Sequence, residues 1–531
     1  MMFDYLIRNA MLADGTGAPA ERGDLAIQGG KIAAVGCLPH ASAAQVLDAR
    51  GMYLTPGFLD IHRHADDALF RPGFGRAELA QGLTTIVNGN CGLSLAPVPA
   101  ARRPEIYGYL TPVTGLPAEE LPTQTMQAYL DAVGAAVLPL NVGMLVGGGT
   151  VRAAAAGFSP EPLDSGALHA VHRLIEQSLS GGALGVSLGL GYAPEIFYTT
   201  QQLIDALAPL RESGVPVTVH MRQEGAGVVE ALEEMMTAAR ALRTPVHISH
   251  LKSIGKAYWG RYMPRMLEIL TRTREEGLDV SCDLYPYTAG STQLIHVLPP
   301  ESQDGGLAAL TEKLREPAFR ARMRERMLTG TDFENLSLLV GWENIDVSTV
   351  ANEENRRFVG RSIAECAEEA HADPFDFTFD LLASEHCTVT MIDRITSDAD
   401  ICAALRAPFS SVISDATYPA SGLLHPRVYG TCTHLIEQYV CKRHVLTLEE
   451  AVKKLTSLPA GVLGLRSKGC LAAGMDADLC LFDAQALHET ATWQAPAQLS
   501  EGMRWVFVGG VPAIREGAFT SAVNGRVLRR A

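Results

Sequence analysis

The sequence predicts an α/β protein: a TIM-like (β/α)8 barrel with a small β-sandwich domain formed by both termini. Three observations support this fold class. The middle of the chain alternates short apolar runs with longer helical stretches, as repeated β/α units do. Eight such runs can be counted, which is the number that this barrel requires. Both ends of the chain instead carry short alternating strands separated by turn residues.

The two ends of the chain are predicted to pair. Near the N-terminus, FDYLIRNA precedes the turn ADGTG, and GDLAIQGGKIAAVG forms two alternating runs around Gly29 and Gly30. Near the C-terminus, ADLCLFD precedes RWVFVGGVPAI, which has Gly509 and Gly510 at its centre. Glycine pairs between alternating runs are typical of β-hairpins. We therefore expect residues 1–55 and 466–531 to build one β-sandwich domain.

The middle segment, residues 56–465, is predicted to form the barrel. The stretch EGAGVVEALEEMMTAARAL indicates one of its helices, because Val228, Leu232, Met235 and Ala239 recur every three to four residues. Active sites of such barrels lie at the C-terminal ends of the strands. The candidate strands end near His62, Asn88, Val146, Ser187, His220, His250, Leu284 and Ser414.

One interval in this pattern is too long. About 130 residues separate Leu284 from Ser414, more than one helix and its loops need. The charged stretch EKLREPAFRARMRERMLTG lies in this interval and is typical of a solvated helix. We expect a helical insertion around residues 295–350, before the last strand, which could serve as a lid over the site.

Composition excludes several classes of protein. The chain has 531 residues, with 44 basic and 59 acidic side chains and a formal net charge of −15. This acidic balance argues against a nucleic-acid partner, which requires clustered positive charge. The ten cysteines include no C-x-x-C pair and are expected to be reduced thiols.

The sequence also argues against a targeting or membrane segment. Asp4, Arg8 and Asp14 interrupt the region where a signal peptide needs an unbroken apolar stretch. The most apolar segment, residues 135–144, holds Pro139 and Asn141 and is too short to cross a bilayer. We expect a cytoplasmic protein without a membrane partner, whose oligomeric state the sequence leaves open.

The sharpest local signal is PGFLDIHRHADD, which contains His62 and His64. Alternate side chains of a strand share a face, so these two lie on the same side, about 7 Å apart along the chain. At the C-terminal end of a barrel strand that face points into the mouth of the barrel. Two imidazoles placed in this way can bind one divalent ion.

Four more residues end or follow candidate strands. His220 closes VPVTVH, His250 closes TPVHISH, Asp415 follows SSVIS, and Cys91 lies between glycines in TTIVNGNCGLS. Taken singly, the histidines could be core residues, the aspartate a helix cap and the cysteine a buried thiol. Because all of them lie at the same end of the predicted strands, together they indicate a metal site.

These residues resemble the amidohydrolase superfamily, and more specifically the D-aminoacylase (N-acyl-D-amino-acid deacylase) family. The matching blocks span most of residues 56–435 and include HRHADD, GLTTIVNGNCGLSLAP, GALGVSLGLGY, HMRQEG, SHLKSIGKAYWGR, DLYPYTAGST and HPRVYGT. The C-terminal segment KGCLAAGMDADLCLFD is similar as well. The resemblance implies a barrel of the metal-dependent hydrolase type.

The resemblance also implies the metal ligands. Many members of the superfamily bridge two metals with a carboxylated lysine at the fourth strand, but GALGVSLGLGY contains no lysine. The D-aminoacylases use a cysteine, which falls on Cys91, and a soft thiolate suits Zn²⁺. The implied cofactor is zinc, with one tight site and a second, weaker one whose occupancy stays open. The tight site takes Cys91, His220 and His250, and the second takes His62, His64 and Asp415.

The activity implied by the resemblance is zinc-dependent hydrolysis of N-acyl-D-amino acids, small molecules that yield a free D-amino acid and a carboxylate. Hydroxide formed on the metal would attack the amide, with Asp415 as general base and then general acid. The D configuration rests on the resemblance alone, and the preferred side chain is open. Substrate-binding positions carried over from the family are Lys252, Arg427, Tyr192 and Tyr285, with Ser291 as a weaker candidate.

Three other interpretations remain open. The chain could hydrolyse a cyclic amide or lactone, as hydantoinases and dihydroorotases do, although the missing lysine counts against this. It could be a catalytically silent scaffold, although the full set of predicted ligands counts against that. A nucleobase deaminase is a weaker option. Within HMRQEG we expect Arg222 and Glu224 to form a structural ion pair beside His220.

Overall fold

A computed structural model describes residues 2–419 and 421–530 of the chain. Within these ranges the strands are β1 Phe3–Leu12, β2 Glu21–Gln28, β3 Lys31–Gly36, β4 Ala43–Asp48, β5 Tyr53–Pro56, β6 Phe58–Asp60, β7 Leu83–Asn88, β8 Asn141–Met144, β9 Val146–Gly147, β10 Val186–Gly189, β11 Val217–His220, β12 Val246–Ile248, β13 Val280–Leu284, β14 Ala289–Gln293, β15 Ile345–Thr349, β16 Thr390–Arg394, β17 Ser410–Val412, β18 Leu479–Phe482, β19 Met503–Val508, β20 Val511–Arg515 and β21 Ala518–Phe519.

The α-helices are α1 Arg76–Ala80, α2 Arg103–Thr114, α3 Met126–Ala135, α4 Gly148–Ala156, α5 Ser165–Ser180, α6 Thr200–Ala206, α7 Val228–Leu242, α8 Tyr262–Glu275, α9 Gly306–Lys313, α10 Pro317–Thr329, α11 Leu336–Leu339, α12 Ile363–Glu369, α13 Pro374–Ser384, α14 Asp398–Arg406, α15 Arg427–His434, α16 Leu448–Leu455 and α17 Ser457–Val462. A π-helical segment, Leu435–Lys442, continues α15. Among the described residues, no helix is both long and apolar enough to cross a membrane.

Eight parallel strand positions form the predicted barrel. One sheet runs β6-β7-β8, and a second runs β9-β10-β11-β12-β13-β17, with β8 and β9 separated by a single residue. The ring closes between its first and last strands. There the Asp415 N–H donates to the His62 carbonyl at 2.9 Å, and the His64 N–H donates to the Ala416 carbonyl at 2.9 Å. The eight predicted strand ends therefore meet on one face, and the predicted fold class is confirmed.

The helices pack their apolar sides against this ring. Helix α7 follows the predicted periodicity and buries Val228, Leu232, Met235 and Ala239 completely or almost so. Strands β11 and β12, on either side of it in sequence, pair in parallel, with Val217 opposite Val246. This arrangement is the β/α unit in which a helix connects neighbouring parallel strands and covers the outer face of the barrel.

Both ends of the chain contribute to one nine-stranded sheet. Its order is β21-β20-β19-β18-β5-β1-β2-β3, and β4 pairs in parallel with the first part of β1. The junction is the antiparallel pair of β5 and β18, in which Leu54 lies opposite Leu481. The hairpins predicted at Gly29–Gly30 and Gly509–Gly510 are confirmed as β2-β3 and β19-β20. Ile7, Leu25 and Phe507 belong to its fully buried core.

The segment between β13 and β17 holds more than helices. Strands β14, β15 and β16 form a separate antiparallel sheet in the order β14-β16-β15, and the helices α9 to α13 lie between β14 and β16 in sequence. The inserted elements thus begin at Ala289 and continue to Arg394, beyond the interval 295–350. The sequence pattern did not reveal this sheet because β14, AGSTQ, has no apolar alternation and is too polar to be typical of a strand.

Candidate metal centre and adjoining cavity

Six potential metal ligands lie together at the C-terminal face of the barrel. Each comes from the end of a strand or from the few residues that follow it, so the parallel arrangement brings distant parts of the sequence to one place. All six are buried, and their donor atoms form two overlapping groups within which every pair lies within 4.8 Å. The groups are His62, His64, Cys91 and Asp415, and Cys91, His220 and His250.

The donor atoms have the spacing that one ion requires. His62 Nε2 lies 3.2 Å from Cys91 Sγ, which lies 3.5 Å from His250 Nε2. His250 Nε2 is 3.0 Å from His220 Nδ1. Asp415 Oδ1 is 3.4 Å from His62 Nε2. Ligands at zinc bond lengths of about 2.0–2.3 Å in a tetrahedron are separated by about 3.3–3.8 Å, and the four distances here are at or slightly below this spacing, as expected for donors that converge on a metal site.

Three of these ligands adopt unusual backbone conformations. Cys91, His250 and Asp415 have φ angles of 53°, 38° and 52°, in the left-handed region that L-residues seldom occupy. Each such residue costs of order 1–3 kcal/mol and persists only where the surrounding structure enforces it. The three side chains converge within the two donor groups, and backbone strain of this kind is concentrated at functional sites of proteins.

Neighbouring groups pack closely around the turn that carries Cys91. Gly92 has a φ of 73°, and a Cβ added there would overlap the carboxylate of Glu195. A Cβ at Gly189, the last residue of β10, would overlap the carbonyl oxygen of Cys91. Ser187 donates its hydroxyl to the Gly89 carbonyl and accepts from the Gly92 N–H at 3.1 Å. The glycines of GNCGL are therefore needed for close packing as well as for φ.

Local charges favour the ionised forms of the two anionic ligands. Burial raises the pKa of the Cys91 thiol, but the charge of His62 and hydrogen bonds from His220 and His250 outweigh it and hold the pKa well below its usual range. Burial also raises the pKa of Asp415, and the Arg427 guanidinium with the hydrogen bond from His64 lowers it well below its usual value. Both groups are ready to act as anionic ligands.

A second layer of carboxylates orients the histidines. Asp283 accepts from the backbone N–H of His250 and lies 2.8 Å from His247 Nε2. Asp60 accepts from the His62 N–H at 3.2 Å and also binds Ser414, which links the first and last barrel strands. These bonds hold the backbone that carries His62 and His250 in position. Sequence reasoning missed both aspartates. Asp60 precedes the predicted ligand His62 by two residues, and Asp283 lies on the predicted strand that ends near Leu284.

A cavity adjoins the metal ligands and contains most of the predicted substrate-binding residues. Tyr192, Lys252, Tyr285 and Ser291 line it together with His220, His250 and Asp415. The ring of Tyr192 packs on His220 with centroids 4.3 Å apart. The inserted segment supplies much of the remaining wall, including Leu298, Pro300, Phe333 and Leu336.

Arg427 is completely buried beside this cavity. Its Nη2 lies 3.0 Å from Asp415 Oδ2 and donates to the Ser291 carbonyl at 3.2 Å. The guanidinium lies over the ring of Tyr285, 4.7 Å from its centroid. Its Nε and Nη1 are buried and have no hydrogen-bond partner among the described residues. Unpaired buried donors are costly, so this arginine lacks an acceptor that a bound anion could supply.

Lys252 has a different environment. Its Nζ lies 2.7 Å from Glu224 and 2.8 Å from His250 Nδ1. The expected ion pair between Arg222 and Glu224 is wrong: Arg222 binds Glu234 through two hydrogen bonds of 2.9 Å. Residues 222 and 224 lie beyond the end of β11, in a turn that directs them to different partners. Glu224 is thus a site residue that the sequence analysis misassigned.

Arg63, between the two predicted histidine ligands, forms a buried network. Its guanidinium is 2.9 Å from Glu78 and 3.2 Å from Asp60, and it donates to the hydroxyl of Tyr418. Tyr418 lies three residues after Asp415, so the network ties the loop that carries this aspartate to the first barrel strand. The sequence analysis assigned no role to Arg63.

Comparison with known proteins agrees with this geometry. A family model described as the amidohydrolase family matches residues 45–514. The chain is 33% identical to a D-aminoacylase of Alcaligenes xylosoxydans xylosoxydans over 528 residues, covering 99% of this chain and 98% of the relative.

Two solved structures are similar along their whole length. One is an N-acyl-D-glutamate deacylase from Bordetella bronchiseptica complexed with zinc and a phosphonate inhibitor that mimics the tetrahedral intermediate. It has a TM-score of 0.84 and 29% identity, with 100% of both chains covered. The other is a D-aminoacylase described with a binuclear metal centre, one-metal activation and second-metal attenuation. It has a TM-score of 0.82 and 30% identity, with coverage of 99% and 100%.

Proposed function

The chain belongs to the amidohydrolase family, and from this premise we propose that it hydrolyses the amide bond of N-acyl-D-amino acids. The products are a free D-amino acid and a carboxylate. The observation that carries the proposal is a cavity lined by His220, His250 and Asp415 of the donor cluster, behind whose wall lies the buried Arg427 with unpaired donors. An N-acyl amino acid has the two matching groups, an amide to be cleaved and a carboxylate to be bound.

Zinc is the proposed metal. The thiolate and imidazole donors suit Zn²⁺, and a similar deacylase was solved with zinc. Bound here, the ion would supply Lewis acidity that polarises the amide carbonyl and lowers the pKa of water. Cys91, His220 and His250 would hold the tight ion, and His62, His64 and Asp415 with the shared Cys91 would form the second site. A related D-aminoacylase is described with one-metal activation and second-metal attenuation.

Asp415 is the proposed general base and acid. Its low pKa keeps it ionised at neutral pH, so it can accept a proton from the attacking water. It then returns that proton to the nitrogen of the leaving amino acid as the C–N bond breaks. The Arg427 guanidinium, 3.0 Å away, holds the carboxylate in position.

Arg427 is also the proposed ligand of the substrate carboxylate. Its free Nε and Nη1 offer the paired donors that suit a carboxylate. Tyr285 and Ser291, which contact this guanidinium, complete the pocket. Lys252 contributes positive charge near this group, but its ammonium is already held by Glu224. Tyr192, whose ring packs on the ring of His220, would cover that histidine.

The decisive experiment measures amine release from paired N-acetyl-D- and N-acetyl-L-amino acids, with Zn²⁺ present and with Zn²⁺ removed by a chelator. We expect turnover of the D-enantiomers alone, lost on chelation and restored by Zn²⁺. Turnover of ring amides or lactones in place of the linear substrates, with zinc bound, would contradict the proposal.

A further inference from the structure

Two carboxyl groups in the cavity wall have no part in the proposed mechanism. Asp393 lies on β16, and Glu334 lies just before α11, so both belong to the segment inserted before the last barrel strand. Neither forms a salt bridge with any residue that the structure describes. A carboxyl group in a cavity without a counter-charge calls for a partner.

Asp393 is the better buried of the two. Its exposed fraction is 3%, and its Oδ1 has no hydrogen-bond partner among the described residues. A Cβ added at the neighbouring Gly290 would lie 3.0 Å from this oxygen and 3.1 Å from the Tyr285 hydroxyl. The unpaired oxygen and the hydroxyl therefore face the same small space, next to the pocket formed by Arg427 and Ser291.

Glu334 lies close to Asp393 and is the second carboxyl group of this wall. It accepts a hydrogen bond of 2.6 Å from the backbone N–H of Glu224. Burial raises the pKa of Asp393 to about 6, and burial together with the charge of Glu224 raises that of Glu334 to about 8. The charges of Lys252 and Arg427 near Asp393, and of Lys252 near Glu334, do not offset these shifts, and neither cation forms an ion pair with the two carboxyls.

The cations of the cavity are already committed elsewhere. Arg222 uses all three guanidinium nitrogens on Glu234 and the Ile196 carbonyl. Lys252 is held by Glu224. Arg427 is paired with Asp415, and its remaining donors are assigned above to the α-carboxylate of the substrate. No basic side chain in the described cavity wall is left to neutralise Asp393 and Glu334, or to bind an acidic side chain of the substrate.

Apolar side chains surround the same two carboxyls. Ile254, Phe333, Leu336 and Ile395 line the cavity beside them. Such a wall can enclose a methylene chain while its polar end reaches a carboxylate, which is how long basic side chains are commonly buried. An acidic side chain would meet like charge at the end of this wall.

We propose that Asp393 and Glu334 bind a cationic side chain of the substrate, so that the preferred substrates are N-acyl derivatives of basic D-amino acids such as D-lysine. This rests on the proposed function and specifies its substrate class. Acidic D-amino acids, the class named for the related glutamate deacylase, would be the poorest substrates, because the pocket lacks a free cation for them.

The zinc-loaded full-length protein tests this with three substrates: N-acetyl-D-lysine, N-acetyl-D-norleucine and N-acetyl-D-glutamate. Norleucine has the same methylene chain without the charge. We expect kcat/KM for the lysine derivative to exceed that for norleucine by about tenfold or more, with glutamate the lowest. Equal or faster turnover of norleucine would overturn the inference and leave the proposed function intact. Absence of turnover of every derivative would instead overturn the function, and the inference with it.

A matched pair of variants assigns the preference to the pocket. Asp393→Asn should lower the lysine-to-norleucine ratio of kcat/KM about tenfold. Asp380→Asn removes a carboxylate that is 66% exposed on the same inserted segment and should leave the ratio unchanged. A ratio that survives Asp393→Asn and Glu334→Gln would contradict the assignment of these two residues.

Discussion

At the scale of single residues, the site concentrates charge where the backbone is strained. Cys91, His250 and Asp415 combine left-handed φ angles with burial. Their ordinary alternatives, a core thiol, a core histidine and a helix cap, would need neither the strain nor the convergence. Substitutions at these positions should therefore separate chemistry, binding and metal affinity.

Replacing the proposed base should remove catalysis without unfolding the chain. Asp415→Asn keeps the size of the side chain but cannot accept the proton, so we expect kcat to fall by about 10²–10⁴-fold. Elemental analysis of the same sample should still find the tight zinc, because Cys91, His220 and His250 are unchanged. A kcat within a few-fold of wild type would refute the role of Asp415.

Arg427→Lys should weaken recognition of the substrate carboxylate. A lysine cannot present the paired donors, so we expect kcat/KM to fall by about 30–100-fold, or about 2–3 kcal/mol. The matched substrate is the N-acetyl-D-amino acid amide, which lacks the carboxylate. The wild type should discriminate strongly against the amide and the variant only weakly, and unchanged discrimination would argue against this assignment.

Cys91→Ser should abolish tight zinc binding. Serine is not ionised at neutral pH and is a harder ligand than the thiolate, so zinc content after dialysis should fall from about one equivalent to near zero. The control is Cys37→Ser, which changes an exposed thiol outside the site and should retain zinc. Full zinc retention in Cys91→Ser would show that the histidines alone bind the ion.

At the scale of elements, the strand ends and the turns after them position the candidate site residues. Candidate site residues lie at the ends of parallel strands or in the turns that follow them, as for β7, β10, β11, β12 and β17. The turn after β7 is closely packed, because Gly92 and Gly189 abut neighbouring groups. Their lack of a Cβ lets the turn that carries Cys91 pack against Glu195 and the end of β10.

Gly92→Ala should disturb this turn and the metal together. The new Cβ would overlap Glu195 in addition to the cost of a φ of 73°, so we expect reduced zinc content and a loss of unfolding free energy above about 2 kcal/mol. Gly214→Ala is the matched control, with a φ of 66° and nothing within 4 Å. It should cost only about 1 kcal/mol and keep its zinc. Equal behaviour of the two variants would count against the packing role of Gly92.

At the scale of the whole molecule, the candidate site and the core of the terminal sheet lie in different parts of the structure. The candidate metal ligands all lie on the barrel, while the nine-stranded sheet has its own buried core around Ile7, Leu25 and Phe507. The pairing of β5 with β18 fastens the two ends of the chain together. Stability of this sheet should therefore be separable from catalysis.

Phe507→Ala should destabilise the protein and spare the chemistry. Phe507 is completely buried and packs against Tyr5 and Trp505 at centroid distances of 5.2 and 5.6 Å. We expect a loss of about 3–5 kcal/mol in thermal or denaturant unfolding, with kcat unchanged at a temperature where the variant is folded. Val511→Ala, on a residue that is 38% exposed, should change stability by less than about 0.5 kcal/mol. A large loss of kcat in folded Phe507→Ala would mean that the two parts are coupled.

The sequence by itself determined the fold class and the six candidate ligands. Apolar periodicity and the placement of His, Asp and Cys after strands are local features, so they can be read along the chain. The ends of parallel strands must meet at one face, which turns that local pattern into a three-dimensional expectation. The hairpins at Gly29–Gly30 and Gly509–Gly510 were predictable for the same reason, since turn chemistry depends on adjacent residues.

Only the tertiary structure decided which charges are paired and which are free. Arg222 binds Glu234, and Glu224 binds Lys252. Arg427, in contrast, has two nitrogens without a hydrogen-bond partner among the described residues. Asp393 and Glu334 enter the cavity from an insertion whose polar strand β14 has no periodic signal. Pairing between distant residues depends on how elements pack and where turns point, and neither is encoded in the local pattern of the chain. The proposed substrate class rests on that packing.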